Sequence, residues 1–329
     1  MAVTISSDVR ELLDKASPDD VRYIKLGKGN FWWQEAKSSN TLRLGFREFN
    51  FEQCQARDFE AAKADFARAH PDLGAGKITS ARNQVSAFFT LPRTTLWFTL
   101  ADGDLWWCFA EEGVTDLYSD RDDAAAERRG ARSRNVIARW FNTDINGGRL
   151  QYDTMTTRIT KVISFQETIC KPDGRTPLLR TLRCKPSVER KLADEALANL
   201  IQHLGDLLDQ LHQDDFELLV ELIFSSSGWR RISPLGGNQK FFDMTMVLPT
   251  TGEKCGVQVK SQTSAGEFND YVRQLAHHSG YARTFFVYHT PRVTFENPDP
   301  ARASIWSRRD IARQTIDAGL AEWVMQRTT

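Results

Sequence analysis

In the first half of the chain, apolar residues come in short runs: Val21–Leu26, Thr41–Phe46, Thr94–Leu100, Leu105–Glu111 and Lys161–Cys170. Turn signals such as Ala101-Asp102-Gly103-Asp104 and Asn146-Gly147-Gly148 separate them, so the pattern predicts strands. Phe59, Ala62, Phe66 and Ala69 recur near the 3.6-residue period and predict one helical interruption. At Lys171-Pro172-Asp173-Gly174 and Lys185-Pro186 this pattern breaks. Ser187 then suits an N-cap, although Arg190 stands where a capping box places Glu. Leu192, Ala196, Leu200, Leu204, Leu207, Leu208 and Leu211 continue as a helical stripe to residue 212.

Beyond it, Asp214-Asp215 caps a helix through Phe224, and Trp229–Ile232 starts an extended segment. A Gly236-Gly237 turn leads to the run Phe241–Leu248, and Thr251-Gly252-Glu253 turns into the strand Cys255–Ser261. Glu267–His278 suits a helix, Thr284–Tyr288 a strand, and Asp310–Gln326 one or two closing helices. The expected class is α/β and α+β in two domains, with a β-rich domain over residues 1–185 and an α/β domain over 214–329. A helix over 186–213 connects them or belongs to the second.

Composition narrows the functional classes. Hydrophobic residues are 41% and charged residues 26%, the range of a chain with real cores. Lys and Arg number 43 against 43 Asp and Glu, which excludes a basic nucleic-acid tail but not a local basic surface. The five cysteines are scattered without a CxxC pair, and the histidines show no zinc-protease spacing, so neither a disulfide framework nor a zinc site is expected. No run nears the ~18 apolar residues of a membrane span, and the opening MAVTISSDVRELLDK turns charged too early for a secretory signal. The expectation is a cytoplasmic chain with no membrane partner.

Candidate chemistry lies in the second domain. Asp243 begins one strand of a turn-connected pair, and Gln258 and Lys260, two apart on the other, project from one face. A carboxylate, a carboxamide and an ammonium at such strand ends suit phosphodiester hydrolysis with a divalent ion. Asp243, the Gln258 side-chain carbonyl and the Val259 backbone carbonyl are hard oxygen ligands for Mg²⁺ or Mn²⁺. Lys260 is placed to orient the attacking water and offset charge on the phosphate. Glu217 and Glu221 share a helix face at i, i+4 and are available as a further carboxylate. The competing reading makes Asp243 a turn residue, Gln258 and Lys260 the polar face of a half-buried strand, and the two glutamates a solvated stripe.

The Phe216-Glu217 helix start, Gly228-Trp229, Gly236-Gly237, Asp243 and Gln258-Val259-Lys260 together resemble the PD-(D/E)xK nuclease superfamily, and within it the Mrr-type restriction endonucleases. The resemblance covers residues 214–329 and implies an αβββαβ core. It implies that Asp243 is the metal-binding acid, Gln258 the second-position ligand in a QxK variant, Lys260 the catalytic lysine and Glu217 the helix carboxylate. Gln274 matches a glutamine of the same relatives. Phe241-Phe242-Asp243 departs from the usual glycine-rich approach to the acid.

The aromatic residues crowd the other domain. Its strand pattern and the hairpin TLWFTLADGDLWWCFAEEGV resemble the PUA-like group, which includes EVE and SRA-type readers of modified bases. The candidates for a base pocket are Phe31, Trp32, Trp33, Trp97 and Trp107, although a Trp in a small β-rich domain is more often core. Strand alternation sends one member of each adjacent Trp pair to the opposite face. Arg43 and Arg47 are candidates for phosphate contacts, and His277 and His278 for an approach to the metal. The combined expectation is a modification-dependent, type IV-like, Mg²⁺-dependent endonuclease acting as a homodimer on double-stranded DNA. The alternative is a catalytically inactive, nuclease-like protein that binds or senses DNA. An RNA-directed nuclease differs only in substrate, and no Walker A motif is present to supply a motor.

Overall fold

A computed structural model of the chain describes residues 5–117, 130–233, 241–275, 280–292, 294–297 and 299–328. The Gly236-Gly237 turn, His277 and His278 lie outside them. The chain divides into two units, Met1–Ser187 and Val188–Thr329, each mixed α/β with its own mixed sheet.

In the first unit, β1 (Val21–Ile24), β2 (Thr41–Leu44), β3 (Leu96–Ala101), β4 (Asp104–Asp116), β5 (Arg132–Val136) and β6 (Ile169–Cys170) form one sheet in the order β2-β5-β4-β3-β1-β6. Strands β1 and β3 run parallel, and every other neighbouring pair is antiparallel. The helices are α1 (Ser7–Lys15), α2 (Trp33–Ser38), α3 (Phe51–Gln55), α4 (Phe59–Ala69), α5 (Ala75–Thr90), α6 (Thr157–Thr160) and α7 (Arg175–Leu182). Both faces of the sheet are covered. Trp97, Trp106 and Cys108 join Phe66 of α4 and Val85 and Phe88 of α5 in one core, while Phe98, Trp107 and Phe109 join α1 and α7 in the other. The expected splitting of Trp106 and Trp107 across the sheet is thus present.

The unit is mixed α/β rather than β-rich with one helical interruption: besides α4, the segments α1, α2, α3, α5 and α7 are also helical. Two further segments differ from expectation. Of Lys161–Cys170 only Ile169–Cys170 is a strand; Thr157–Ser164 turns helically instead, which buries Ile159 and Val162, three apart, on one side. Strand β5 carries buried Arg132 and Arg134, which a hydrophobic pattern passes over. Arg134 donates to the carbonyls of Glu111 (2.6 Å), Phe88 (3.1 Å) and Ala110 (3.2 Å). Its register partner β4 shifts between Ala110 and Val114, so the guanidinium satisfies the Ala110 and Glu111 carbonyls at this irregularity and the Phe88 carbonyl in the last turn of α5.

In the second unit, β7 (Arg230–Arg231), β8 (Met244–Val247), β9 (Lys254–Gln262), β10 (Arg283–Thr290) and β11 (Ala303–Trp306) form a sheet in the order β11-β10-β9-β8-β7. Strands β7, β8 and β9 pair antiparallel, and β9, β10 and β11 parallel. The helices are α8 (Val188–Leu208), α9 (Gln213–Ser226), α10 (Ala265–Leu275), α11 (Arg308–Asp317) and α12 (Ala321–Arg327). From α9 to β10 the order is helix, three strands, helix, strand. Val257, Val259, Phe285 and Val287 face α8, α9, α11 and α12, while Phe286 and Tyr288 face α10 through Phe268 and Tyr271. His212, not Asp214, caps α9, its Nδ1 accepting from the Asp214 backbone at 3.3 Å.

The helix expected either to connect the domains or to belong to the second is part of this second unit. Leu204 and Leu208 are buried in its core, and Arg308 of α11 reaches Asp206 at 2.8 Å and Asp209 at 2.6 Å. No helix among the described residues is long and apolar enough to cross a membrane.

Candidate functional site

Asp243 stands one residue before β8, where that strand leaves its neighbour. Its N–H still donates to the Val257 carbonyl at 3.0 Å, which sets it opposite Gln258 in the register. Beyond this point β8 offers β9 no further backbone partner, and the Asp243 side chain takes over. Oδ2 accepts from the Val259 N–H and from Gln258 Nε2, both at 2.6 Å. Oδ1 keeps no hydrogen-bond partner among the described residues. Alternation along β9 sends Gly256, Gln258 and Lys260 to one face, as the spacing predicts.

Glycine at 256 has a steric cause. A Cβ there would lie 2.6 Å from three ring carbons of Phe242, the residue that precedes Asp243. Phe242 is buried and cannot swing away cheaply, so the ring and the carboxylate beside it are placed together. Gly256→Ala is expected to cost about 1–3 kcal/mol through overpacking and to displace Asp243. A urea midpoint unchanged from that of the original chain would contradict this.

Lys260 is half-buried and has no hydrogen bond or ion pair among the described residues. Burial pushes the Asp243 carboxyl above its ordinary value; the Val259 N–H, Lys260 and Arg231 pull against that shift without cancelling it. Arg231, which the sequence reading did not single out, donates to Glu221 at 2.7 Å and to the Asp243 carbonyl at 3.4 Å. It ties α9 to the strand bearing the acid. Its signal in the sequence was an arginine inside a short strand, too common to stand out.

The sequence-predicted residues therefore separate into two sets. Asp243, Gln258, Val259 and Lys260 come together. Glu217 does not: its carboxylate accepts from Gln213 at 3.3 Å, and Glu221, one turn on, is the glutamate linked to the site. Gln274 is exposed on α10. Among the described residues no group of three or more His, Cys, Asp or Glu side chains is placed to hold a metal. The oxygens that fit a small hard cation are Asp243 Oδ1, the Gln258 side-chain carbonyl and the Val259 carbonyl. A strand residue directs its N–H and C=O to the same side, so the last of these faces the Asp243 edge. This set has one carboxylate, sufficient for an ion that keeps several waters.

The aromatic candidates also separate. Trp33, Trp97 and Trp107 are 2%, 0% and 0% exposed and belong to the two cores, so they have no face to offer a base. Phe31 is 65% exposed and is not among the residues lining the cavity beside Trp32. Trp32 does line one, a cavity of about 710 Å³ beyond the C-terminal ends of β1, β2 and β3, with Tyr23, Lys25, Lys28, Phe46 and Tyr152. Its indole lies against glycines: a Cβ at Gly27, Gly45 or Gly130 would come within 2.9, 3.1 or 3.3 Å of the ring. Gly27 also has a φ of 84°, open to glycine at little cost. Around the rim, Asn30 bridges Leu100 O and Leu26 N, and Trp33 Nε1 holds Asp102 at 2.7 Å. Trp33 thus positions the pocket without lining it. Lys25 donates to the Phe165 carbonyl, whereas Lys28 is exposed and has no hydrogen bond or ion pair among the described residues.

Arg43 is buried and bonded to Thr41 and Ser39, beside Glu35, which removes it from phosphate contact. Arg47 pairs with Glu48 at 3.7 Å. Comparison of the chain with family models, curated proteins and solved structures finds no match in any of the three.

Proposed function

We propose that this protein is a modification-dependent DNA endonuclease. In this reading the second unit is a PD-(D/E)xK-type nuclease of Mrr character, and the first is a PUA-like reader that takes a modified base into the Trp32 cavity. The observation that carries the reading is the meeting of Asp243, Gln258 and Val259 beside a Lys260 ammonium that acts on the Asp243 charge yet makes no direct ion pair among the described residues. A half-buried cation without a direct ion-pair contact is costly to keep, and a phosphate is the kind of group that would complete it.

Asp243 Oδ1, the Gln258 carbonyl and the Val259 carbonyl would hold Mg²⁺ or Mn²⁺, which when bound polarises the phosphate and acidifies the attacking water. Lys260 orients that water and offsets charge gathering on the phosphate oxygens. The Val259 N–H and Gln258 amide keep Asp243 aimed, and Arg231 anchors its backbone to α9. In the other unit, Trp32 and Phe46 offer aromatic faces to an extruded base, and Lys28 lies beside them for a neighbouring phosphate. Cutting two strands needs two such sites, so the active form is a homodimer, acting in the cytoplasm.

Matched duplexes carrying unmodified, methylated, hydroxymethylated or glucosylated cytosine test the reading, incubated with Mg²⁺ or Mn²⁺. Cutting confined to one or more modified duplexes is expected. Binding without cutting in either metal would favour the inactive, sensing alternative, which the single carboxylate of the site keeps in view.

The Asp243 shift adds a pH prediction. Because its folded-state pKa is raised, metal-free stability from this group is full below the ordinary value of about 3.9 and is lost as pH rises through the folded value. Asp243→Asn should therefore raise the neutral-pH melting temperature of the metal-free protein. Magnesium at 100 times its dissociation constant should stabilise the original chain by about 2.7 kcal/mol, and that gain should fade on acidification at a pH above the usual carboxylate range. A magnesium effect that survives in Asp243→Asn would contradict the assignment.

A further inference from the structure

The second unit holds a cavity of about 410 Å³ at the same end of the sheet as Lys260. Strand register establishes the placement. Lys260 of β9 lies beside Tyr288 of β10, and Val287 beside Trp306 of β11. Arg292 follows the end of β10, and Arg308 and Arg309 follow the end of β11, so three parallel strands deliver cations to one end of the sheet. Lys260 shares the α10 face with Tyr288, whereas Arg308 packs against the end of α8 on the other face, so the cavity and Lys260 lie at one end of the sheet on opposite faces.

The three arginines are not equivalent. Arg308 is buried, held by Asp206 at 2.8 Å and Asp209 at 2.6 Å, and Gly205 lets it lie close, since a Cβ there would be 3.2 Å from its Nε. It forms the rigid wall. Arg292 is 64% exposed and shares the same two aspartates at 3.3 and 3.2 Å, contacts that an exposed side chain gives up at little cost. Arg309 is exposed and has no ion pair or hydrogen bond among the described residues. Two aspartates thus face three arginines; Asp310 is engaged with the Ser307 N–H and hydroxyl at 2.9 and 2.6 Å. His289 at the rear also leans on Asp209, at 3.2 Å.

We propose that the cavity between Arg292, Arg308 and Arg309 binds a backbone phosphate of duplex DNA, at the end of the sheet it shares with Lys260. Guanidinium forks match phosphate oxygens in pairs. Arg292 and Arg309 supply the forks, and Arg308 fixes the wall behind them. This inference rests on the nuclease reading for its choice of ligand. It gives the substrate a second hold on the unit besides the reacting phosphate, so that the duplex is aligned before chemistry.

The test is binding of an unmodified 20-base-pair duplex to the full chain across a salt series. Replacing Arg292 and Arg309 together by Ala should flatten the slope of log affinity against log salt by about 1–2 and weaken binding roughly 10-fold at physiological salt. Both residues are exposed, so the fold should persist, and near-identical melting will verify it. Replacing the exposed Arg190 and Arg313 in the same way should leave the slope unchanged. An unaltered slope in the Arg292/Arg309 variant, or an equal change in the control, overturns the proposal. So does a mononucleotide that binds as tightly as the duplex and loses that affinity in the variant, because the cavity would then serve a free phosphate compound. If the slope changes as expected but the original chain cuts nothing in Mg²⁺ or Mn²⁺, the phosphate site stands and the nuclease reading falls. If the chain cuts and the slope does not change, the reverse holds; if it neither binds nor cuts, both fall.

Discussion

Lys260→Ala should hold a modified duplex with nearly the affinity of the original chain and cut it at least ~10²–10³-fold more slowly. The ammonium makes no direct ion pair among the described residues, and its removal takes away stabilisation that matters when charge builds on the phosphate. It contributes no hydrogen bond to the fold, so its loss should leave melting almost unchanged. Lys260→Arg should not restore cutting, because a planar fork is not a compact point charge. Asp243→Asn provides the matched control. The amide oxygen still accepts from Val259, so the strand end stays in place while the metal-binding charge is gone. Full cutting by either Lys260→Ala or Asp243→Asn would sink the proposed mechanism.

The largest effect on stability should come from the other unit. Arg134 is 1% exposed, and burial lowers its pKa to about 10, which still leaves it charged at neutral pH. Arg134→Ala removes the donor to three carbonyls, opens a void against Trp97 and strands polar groups in a dry interior. The expected cost is about 3–5 kcal/mol. Arg134→Lys should recover part of it, since one ammonium reaches some of those carbonyls but not all. Denaturation followed by tryptophan fluorescence will report this, because six of the nine tryptophans lie before residue 150. A loss below 1 kcal/mol in Arg134→Ala would mean that water replaces the guanidinium.

What could be read from the chain depended on whether pattern or packing decided the outcome. The meeting of Asp243 with Gln258 followed from two strands, a turn and alternation, all local properties. The choice between Glu217 and Glu221 did not, because residues one turn apart share a helix face and only the tilt of α9 brings one of them to Arg231. The adjacent Trp106 and Trp107 do take opposite faces, whereas Trp32 and Trp33 sit at a helix start where strand alternation does not apply; and alternation says nothing about whether a face is covered. Here helices cover both, which buries Trp97 and Trp107. Trp32 escaped that fate because it precedes a short helix at the end of the sheet. Strand β5 stayed hidden for a related reason. Its inward positions carry arginines whose cost of burial is met by carbonyls from distant segments, a pairing invisible to hydropathy.

The membership of α8 bears on how such a protein could be reassembled from parts. A second-unit module excised at residue 214 would leave behind Asp206 and Asp209, and Arg308 would face its cavity with no anchor. A seam at 187 keeps that helix with the sheet it serves. Chimeras that borrow a different first unit should therefore be spliced ahead of Val188, and those joined one helix later should be born with a broken floor.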